Sequence, residues 1–249
     1  MTTPPTRHCF AALLAVLLSA GTQAAPAHFT SYNDFYRSLG DPLFEEGKGT
    51  ALDKPCTDAP RACLWTTSMT QALRRYEATD WIVPGTLQMN PADGAPDIAF
   101  DGQTLMVGAR RWPLRSAVAL APPDWPSRTP IDPENLANVT AWQQGTSVCL
   151  DMHYVSSGKG GRYTLVMLLH GEHLYTLPPL FGSCVAIQKA AGDGFSYPST
   201  TYLGPGMETN PSGLQVDYLL SDGTTRVARY LLRFPDQSDP FTFEASRVR

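Results

Sequence analysis

The sequence predicts a mainly β (α+β) protein: an antiparallel β-sheet or sandwich carrying two short N-terminal helices. Three observations carry that expectation. Between Val148 and Tyr154, apolar residues alternate with Cys149, Asp151 and His153, the two-residue period of a strand with one buried face. Leu214, Val216, Tyr218 and Leu220 alternate up to Asp222-Gly223, and Ala228, Tyr230, Leu232 and Phe234 alternate back, which reads as a hairpin closed by a turn dipeptide. From Trp81 onward the chain turns to Gly, Pro and β-branched residues, as short strands joined by tight turns require.

Taken in order, residues 1–24 read as a secretory signal. Arg7 lies in a short polar region, an apolar run covers 10–20, and small residues end at Ala24. The run is shorter than the roughly 20 residues a membrane-spanning helix needs. Residues 25–249 then form a single exported β-rich domain without internal repeats. Residues 28–40 fit a short amphipathic helix: Thr30 or Ser31 caps it, Tyr32, Phe35, Tyr36 and Leu39 share one face, and Gly40 suits the stop. A second helix is expected after Thr67 or Ser68, with Met69, Ala72, Leu73 and Tyr76 at helical spacing.

Asp101-Gly102 between apolar flanks predicts a hairpin over 97–107. The stretch 108–135 holds Pro113, Pro122, Pro123, Pro126, Pro130 and Pro133. Such density excludes a helix or central strand and predicts an irregular connection packed down by Trp112 and Trp125. A Ser- and Gly-rich turn over 156–161 leads into 163–169, apolar at nearly every position and therefore covered on both sides. Gly171-Glu172 turns that strand back through 173–177, and 184–188 is a further short strand.

Composition bounds the function. Of 249 residues, 43% are hydrophobic and 17% charged, too apolar for disorder and sufficient for a real core. A formal net charge of −4 leaves no basic footprint, which excludes nucleic acid and an electrostatically held membrane surface as partners. No second long apolar run follows the signal, so the mature chain has no integral membrane segment. Arginine outnumbers lysine 15 to 4, with Ala, Gly and Pro plentiful; these are GC-rich codons and point to a bacterial gene, with export to the periplasm or beyond.

Loss of Cys9 with the signal leaves Cys56, Cys63, Cys149 and Cys184, an even set in an oxidising compartment. Cys56 and Cys63 bracket a Pro-containing turn, and Cys149 and Cys184 fall on neighbouring strands, so the pairings 56–63 and 149–184 are expected. The spacings do not fit a zinc site.

Chemistry-bearing patterns are sparse. In His170-Gly171-Glu172-His173 a two-residue turn sets the histidines opposite each other, and a metal there would need Asp151 or His153 as third ligand. A polar hairpin tip is the simpler reading, and no metal or cofactor is assigned. Ser156-Ser157-Gly158-Lys159 matches S-x-x-K in pattern but sits in a turn, not on a helix. Asn138-Val139-Thr140 is a sequon expected by chance, and adjacent Glu45-Glu46 reads as solvated. Phe195, Tyr197 and Tyr202, set among Gly, Ser, Thr, Pro and Asn over 192–213, have the make-up of a binding loop. Their folding back onto the core is the competing reading.

The function expected from these residues is a non-enzymatic exported binding protein, inhibiting or protecting an envelope-acting protein partner. The alternatives are an exported hydrolase or metal-dependent enzyme built on His153, His170 and His173, and a structural envelope component.

Overall fold

The computed structural model describes residues 26–44, 49–53, 65–66, 73–74, 87–91, 98–123, 125, 128–132, 135–154, 162–204 and 209–248. The chain begins with β1 (Ala27–Phe29), helix α1 (Tyr32–Arg37), β2 (Gly49–Asp53), β3 (Trp65–Thr66), β4 (Leu73–Arg74) and β5 (Leu87–Pro91). It continues with β6 (Ile98–Phe100), β7 (Thr104–Val107), β8 (Arg110–Pro113), β9 (Val118–Ala119), β10 (Leu136–Gln144), β11 (Ser147–Tyr154) and β12 (Thr164–His170). It ends with β13 (His173–Thr176), β14 (Gln188–Lys189), β15 (Phe195–Leu203), β16 (Gly213–Leu220), β17 (Arg226–Arg233) and β18 (Phe243–Val248). The protein is mainly β, as predicted.

Two sheets result. One runs β1-β18-β17-β16-β15-β14, antiparallel throughout. The other runs β8-β7-β6-β5-β3-β2-β10-β11-β12-β13-β9, with β4 on β5. Its pairings are antiparallel except β3 with β5 and β9 with β13. This second sheet curls into a half-barrel, so that Ile98, Phe100 and Leu105 meet Val139, Leu150, Met152 and Met167 in an inner core. Near the ends of the curl, Arg110 on β8 reaches the Glu172 carboxylate in the β12–β13 turn, and Trp112 Nε1 donates to the Glu172 carbonyl at 3.1 Å. A larger core lies between the half-barrel, the other sheet and α1.

Turn chemistry sets the hairpins. Asp101 Oδ1 accepts from the N–H groups of Gln103 and Thr104 at 2.9 and 2.7 Å, and Gly102 has φ 86°, a left-handed conformation that glycine adopts without steric cost. Asp222 does the same for Thr224 and Thr225 at 2.7 and 2.8 Å. The hairpins predicted over 97–107 and 214–234 form on these turns as β6–β7 and β16–β17.

The first helix forms over Tyr32–Arg37, with the Ser31 hydroxyl accepting from Asp34 N–H at 3.4 Å. One turn and a half has little stability alone. Burial of Tyr32, Phe35 and Tyr36 supplies it, with the Tyr32 and Tyr36 hydroxyls donating to the carbonyls of Pro240 and Phe181 at 2.7 and 2.9 Å. The second expected helix is corrected: Leu73 and Arg74, the described residues of that stretch, pair with β5 as a strand. Strand pairing overrides the helical spacing there.

Three further corrections follow from tertiary pairing. Residues 108–135 are not wholly irregular, since β8 and β9 lie at the two ends of the sheet, an edge position that tolerates Pro113. Cys184–Ala186 is a 3-10 turn, with the strand beginning only at Gln188. The second face of β11 is covered as well. Val148, Leu150 and Met152 enter the inner core, while Cys149 and Asp151 are buried on the opposite side.

Cys149 is bonded to Cys184 as expected, across a sequence separation of 35. Cys56 and Cys63, residues 1–24, Glu45-Glu46 and the Ser156–Lys159 turn lie outside the described residues. No helix among the described residues is long and apolar enough to cross a membrane.

Opening the Cys149–Cys184 loop releases chain entropy in the unfolded state. The expected loss of stability for Cys184→Ala is about 4 kcal/mol, read as a lower midpoint in denaturant unfolding.

Candidate functional site

The hairpin histidines face each other as predicted, with His170 paired to His173. They do not make a metal centre. His170 Nε2 donates to the Asp193 carbonyl at 2.6 Å, and its Nδ1 lies 2.8 Å from Ser147 Oγ. A carbonyl can only accept, so Nε2 carries a proton, and Nδ1 pairs with the serine hydroxyl. Both ring nitrogens are therefore engaged by the protein. Glu172 is held by Arg110, and His173 is exposed with its ring edge toward Tyr175. His153 pairs with Thr164 at the far end of β11 and β12, six residues from the turn and hence roughly 20 Å away. His153, His170 and His173 do not converge. Among the described residues no three His, Cys, Asp or Glu side chains cluster as a metal site would require.

The proposed aromatic loop is also corrected. Phe195, Tyr197 and Tyr202 lie in strand β15, and Phe195 and Tyr197 are each only 1% exposed. The Phe195 ring stands edge-on to Tyr175 and His170, with centroids 5.0 and 5.5 Å apart. Tyr202 is half-buried, with its ring 6.5 Å from Phe181. The buried pair are core residues and not exposed anchors. Sequence composition resembled a binding loop because it does not register a second sheet covering the strand.

A different site emerges where α1 meets the half-barrel. An open cleft of about 360 Å³ is lined by residues 30–33, by Thr140 and Trp142 of β10, Asp151 and His153 of β11, and Thr164 of β12. Phe181, Gly182, Ser183 and Phe241 complete its wall. Strand alternation puts these side chains together. Thr140 is opposite Asp151, and His153 is opposite Thr164, so all four project from the sheet face opposite the inner core.

Asp151 is the electrostatic centre of the cleft. Its Oδ1 accepts from Cys184 N–H at 2.7 Å and its Oδ2 from Trp142 Nε1 at 3.2 Å, with the Ser183 hydroxyl as a third donor. At 6% exposure, loss of hydration outweighs these donors and raises its pKa from 3.8 to about 7. Burial also lowers the pKa of His153, whose Nδ1 lies 3.3 Å from Thr164 Oγ1. Burial, followed by the neighbouring Tyr36 and Tyr202, holds the Tyr32 phenol far above its ordinary range.

The aromatic wall is fixed by an unusual backbone. Phe181 has φ 53°, the one non-glycine residue with positive φ among the described residues. A bulky residue in the left-handed region costs of order 1–3 kcal/mol and persists only where its surroundings hold it. Here they do: Phe181 N–H donates to the Arg162 carbonyl at 2.6 Å, Tyr36 donates to the Phe181 carbonyl, and the ring stacks on Tyr32 at 4.1 Å. Gly182 then lets the chain pass close by, since a Cβ there would lie 2.8 Å from the Pro178 carbonyl oxygen. In the sequence Asp151 is a polar position in an alternating strand and a candidate third ligand for the hairpin histidines, not a buried carboxylate. Its burial depends on the neighbouring loop and helix.

Two outcomes are expected. Tyr197→Ala should cost about 3–5 kcal/mol and lower the melting temperature by several degrees, as truncation of a core aromatic does. For Asp151, the folded pKa lies above the unfolded one. The folded state holds the extra proton, so this stability is complete below about pH 4 and is lost as pH rises through about 7. The difference in stability between wild type and Asp151→Asn should therefore fall by about 1.4 kcal/mol per pH unit across that window, measured by denaturant unfolding. Taking the difference removes the opposing contribution of His153, whose neutral form is favoured by folding. Compared with known protein families, curated proteins and solved structures, the chain has no match, and its functional reading rests on this geometry.

Proposed function

We propose that this chain is a non-enzymatic, exported binding protein that receives its ligand in the cleft over Asp151. The observation that carries the reading is a desolvated carboxylate at the base of an open cleft whose aromatic wall is held by a left-handed Phe181. Such a combination, apolar rings with a few fixed polar groups in a volume of about 360 Å³, is typical of ligand sites. Strain held at the wall is the kind of feature that persists where function requires it.

Binding fits better than catalysis because the titratable groups do not form a relay. His153 is engaged with Thr164, and the donors to Asp151 come from the scaffold. The disulfide and the absence, among the described residues, of a membrane-crossing helix are compatible with an extracytoplasmic location. Export itself rests on the signal read at 1–24. A protein partner of the envelope would place a side chain in the cleft, which retains the inhibitor or protective role expected from the sequence while moving it away from Phe195 and Tyr197.

A photo-crosslinking residue at exposed Asn33, on the cleft rim, tests this against the same residue at exposed His173 near the β12–β13 turn. In the full chain expressed in bacterial envelopes, adducts are expected from position 33 and not from position 173. Equal adducts from both positions, or none from position 33, would overturn the reading.

A further inference from the structure

The proposed cleft is unusual in its charge balance. Among the described residues Asp151 accepts from an amide, an indole and a hydroxyl, all neutral donors. These orient the carboxylate without compensating its charge. The cations in the described ion pairs are committed elsewhere: Arg37 to Asp34, Arg110 to Glu172, Lys189 to Asp41, and Arg226 and Arg229 to Asp217. A buried carboxylate without a counter-charge is costly. This one adjoins an open cleft, so the missing charge can come from outside.

The walls suit the same kind of ligand. Trp142 and Phe241 line the cleft beside the stacked Tyr32 and Phe181 rings. Aromatic rings attract cations most strongly where water is excluded, and also cover a ligand's methylenes. Thr140 and Thr164 offer hydroxyl oxygens to the remaining N–H donors of an ammonium group.

Building on the binding function proposed above, we infer that the group received in the cleft is an alkylammonium, with Asp151 as its counter-charge and the aromatic wall around its methylenes. Two sources share that chemistry, a free small amine and a lysine side chain of a protein partner. Binding should depend on pH. Among the described residues the titratable groups lining the cleft are Asp151 from β11, His153 beside it and Tyr32 from α1, with none from β10, β12 or residues 181–183. Arg162 and Asp239, of opposite sign, both act on Tyr32. Because Asp151 titrates at about 7, affinity for a cation should be about tenfold weaker at pH 6 than at pH 8. Protonation of His153 at the acid end acts in the same direction.

The indole N–H of Trp142, bonded to Asp151, is a local reporter in ¹H–¹⁵N spectra, assigned by Trp142→Phe. Butylammonium at pH 8 should shift this resonance, and butanol should not. Asp151→Asn should weaken butylammonium binding about tenfold or more. Thr140→Lys, which sets an ammonium on the cross-strand neighbour of Asp151, should abolish it in a folded protein. Nα-acetyl-lysine amide binding more tightly than butylammonium would assign the source to a protein partner, and the reverse order to a free amine. An equal response to butanol, no response to either probe, or full butylammonium affinity in Asp151→Asn would overturn the inference. If that happened while position 33 still crosslinked, only the ligand class would fail; loss of both the probe response and the crosslink would sink the binding site itself.

Discussion

Burial of β11 on both faces is the constraint on which the rest of the molecule depends. One face, Val148, Leu150 and Met152, fills the half-barrel; the other carries Cys149 and Asp151 into the space beneath α1 and the sheet β1-β18-β17-β16-β15-β14. A strand so placed must satisfy every polar group it brings inside. Asp151 does so by drawing in the Cys184 amide and the Trp142 indole. The same residues that meet this requirement define the base of the cleft. Stability and the proposed binding chemistry thus share one carboxylate.

The covalent and polar ties act together. The Cys149–Cys184 bond and the hydrogen bond from Cys184 N–H to Asp151 both fasten the 183–187 segment to β11. Tyr36 fastens α1 to the same region through the Phe181 carbonyl. With three anchors around it, the left-handed backbone at Phe181 is over-determined, which allows a strained residue to persist. The hairpin tip at 170–173 has a different role. Its charged contact with Arg110 is largely exposed on both partners, so it adds little stability while joining β8 to the opposite side of the curl.

Local chemistry was legible in the sequence and distant pairing was not. Asp101-Gly102, Asp222-Gly223 and Gly171-Glu172 each announced a turn because the φ and side-chain requirements of a turn lie within four residues. Ser31 was readable as a cap for the same reason, and so was the buried character of β12. β1 went unseen, since a three-residue strand takes its identity from a partner far along the chain. Leu73 and Arg74 show the opposite failure, a helical spacing overridden by pairing with β5. The polar side of β11 was misread because alternation tells which residues share a face, and nothing in it tells whether a second layer covers that face. This is also why Phe195 and Tyr197 resembled anchors and Asp151 entered only as a candidate ligand to the hairpin histidines.

Asp151 is buried at the base of the cleft with no counter-charge among the described residues, and both the site and its ligand depend on this. The most direct measurement is the pH titration of its side-chain carboxyl ¹³C resonance in the ligand-free protein, assigned with Asp151→Asn. A midpoint of about 7 is the expected result. A midpoint at or below the ordinary aspartate value near 3.9 would mean that the group is hydrated or already paired with a cation, and would contradict both the site and its proposed ligand.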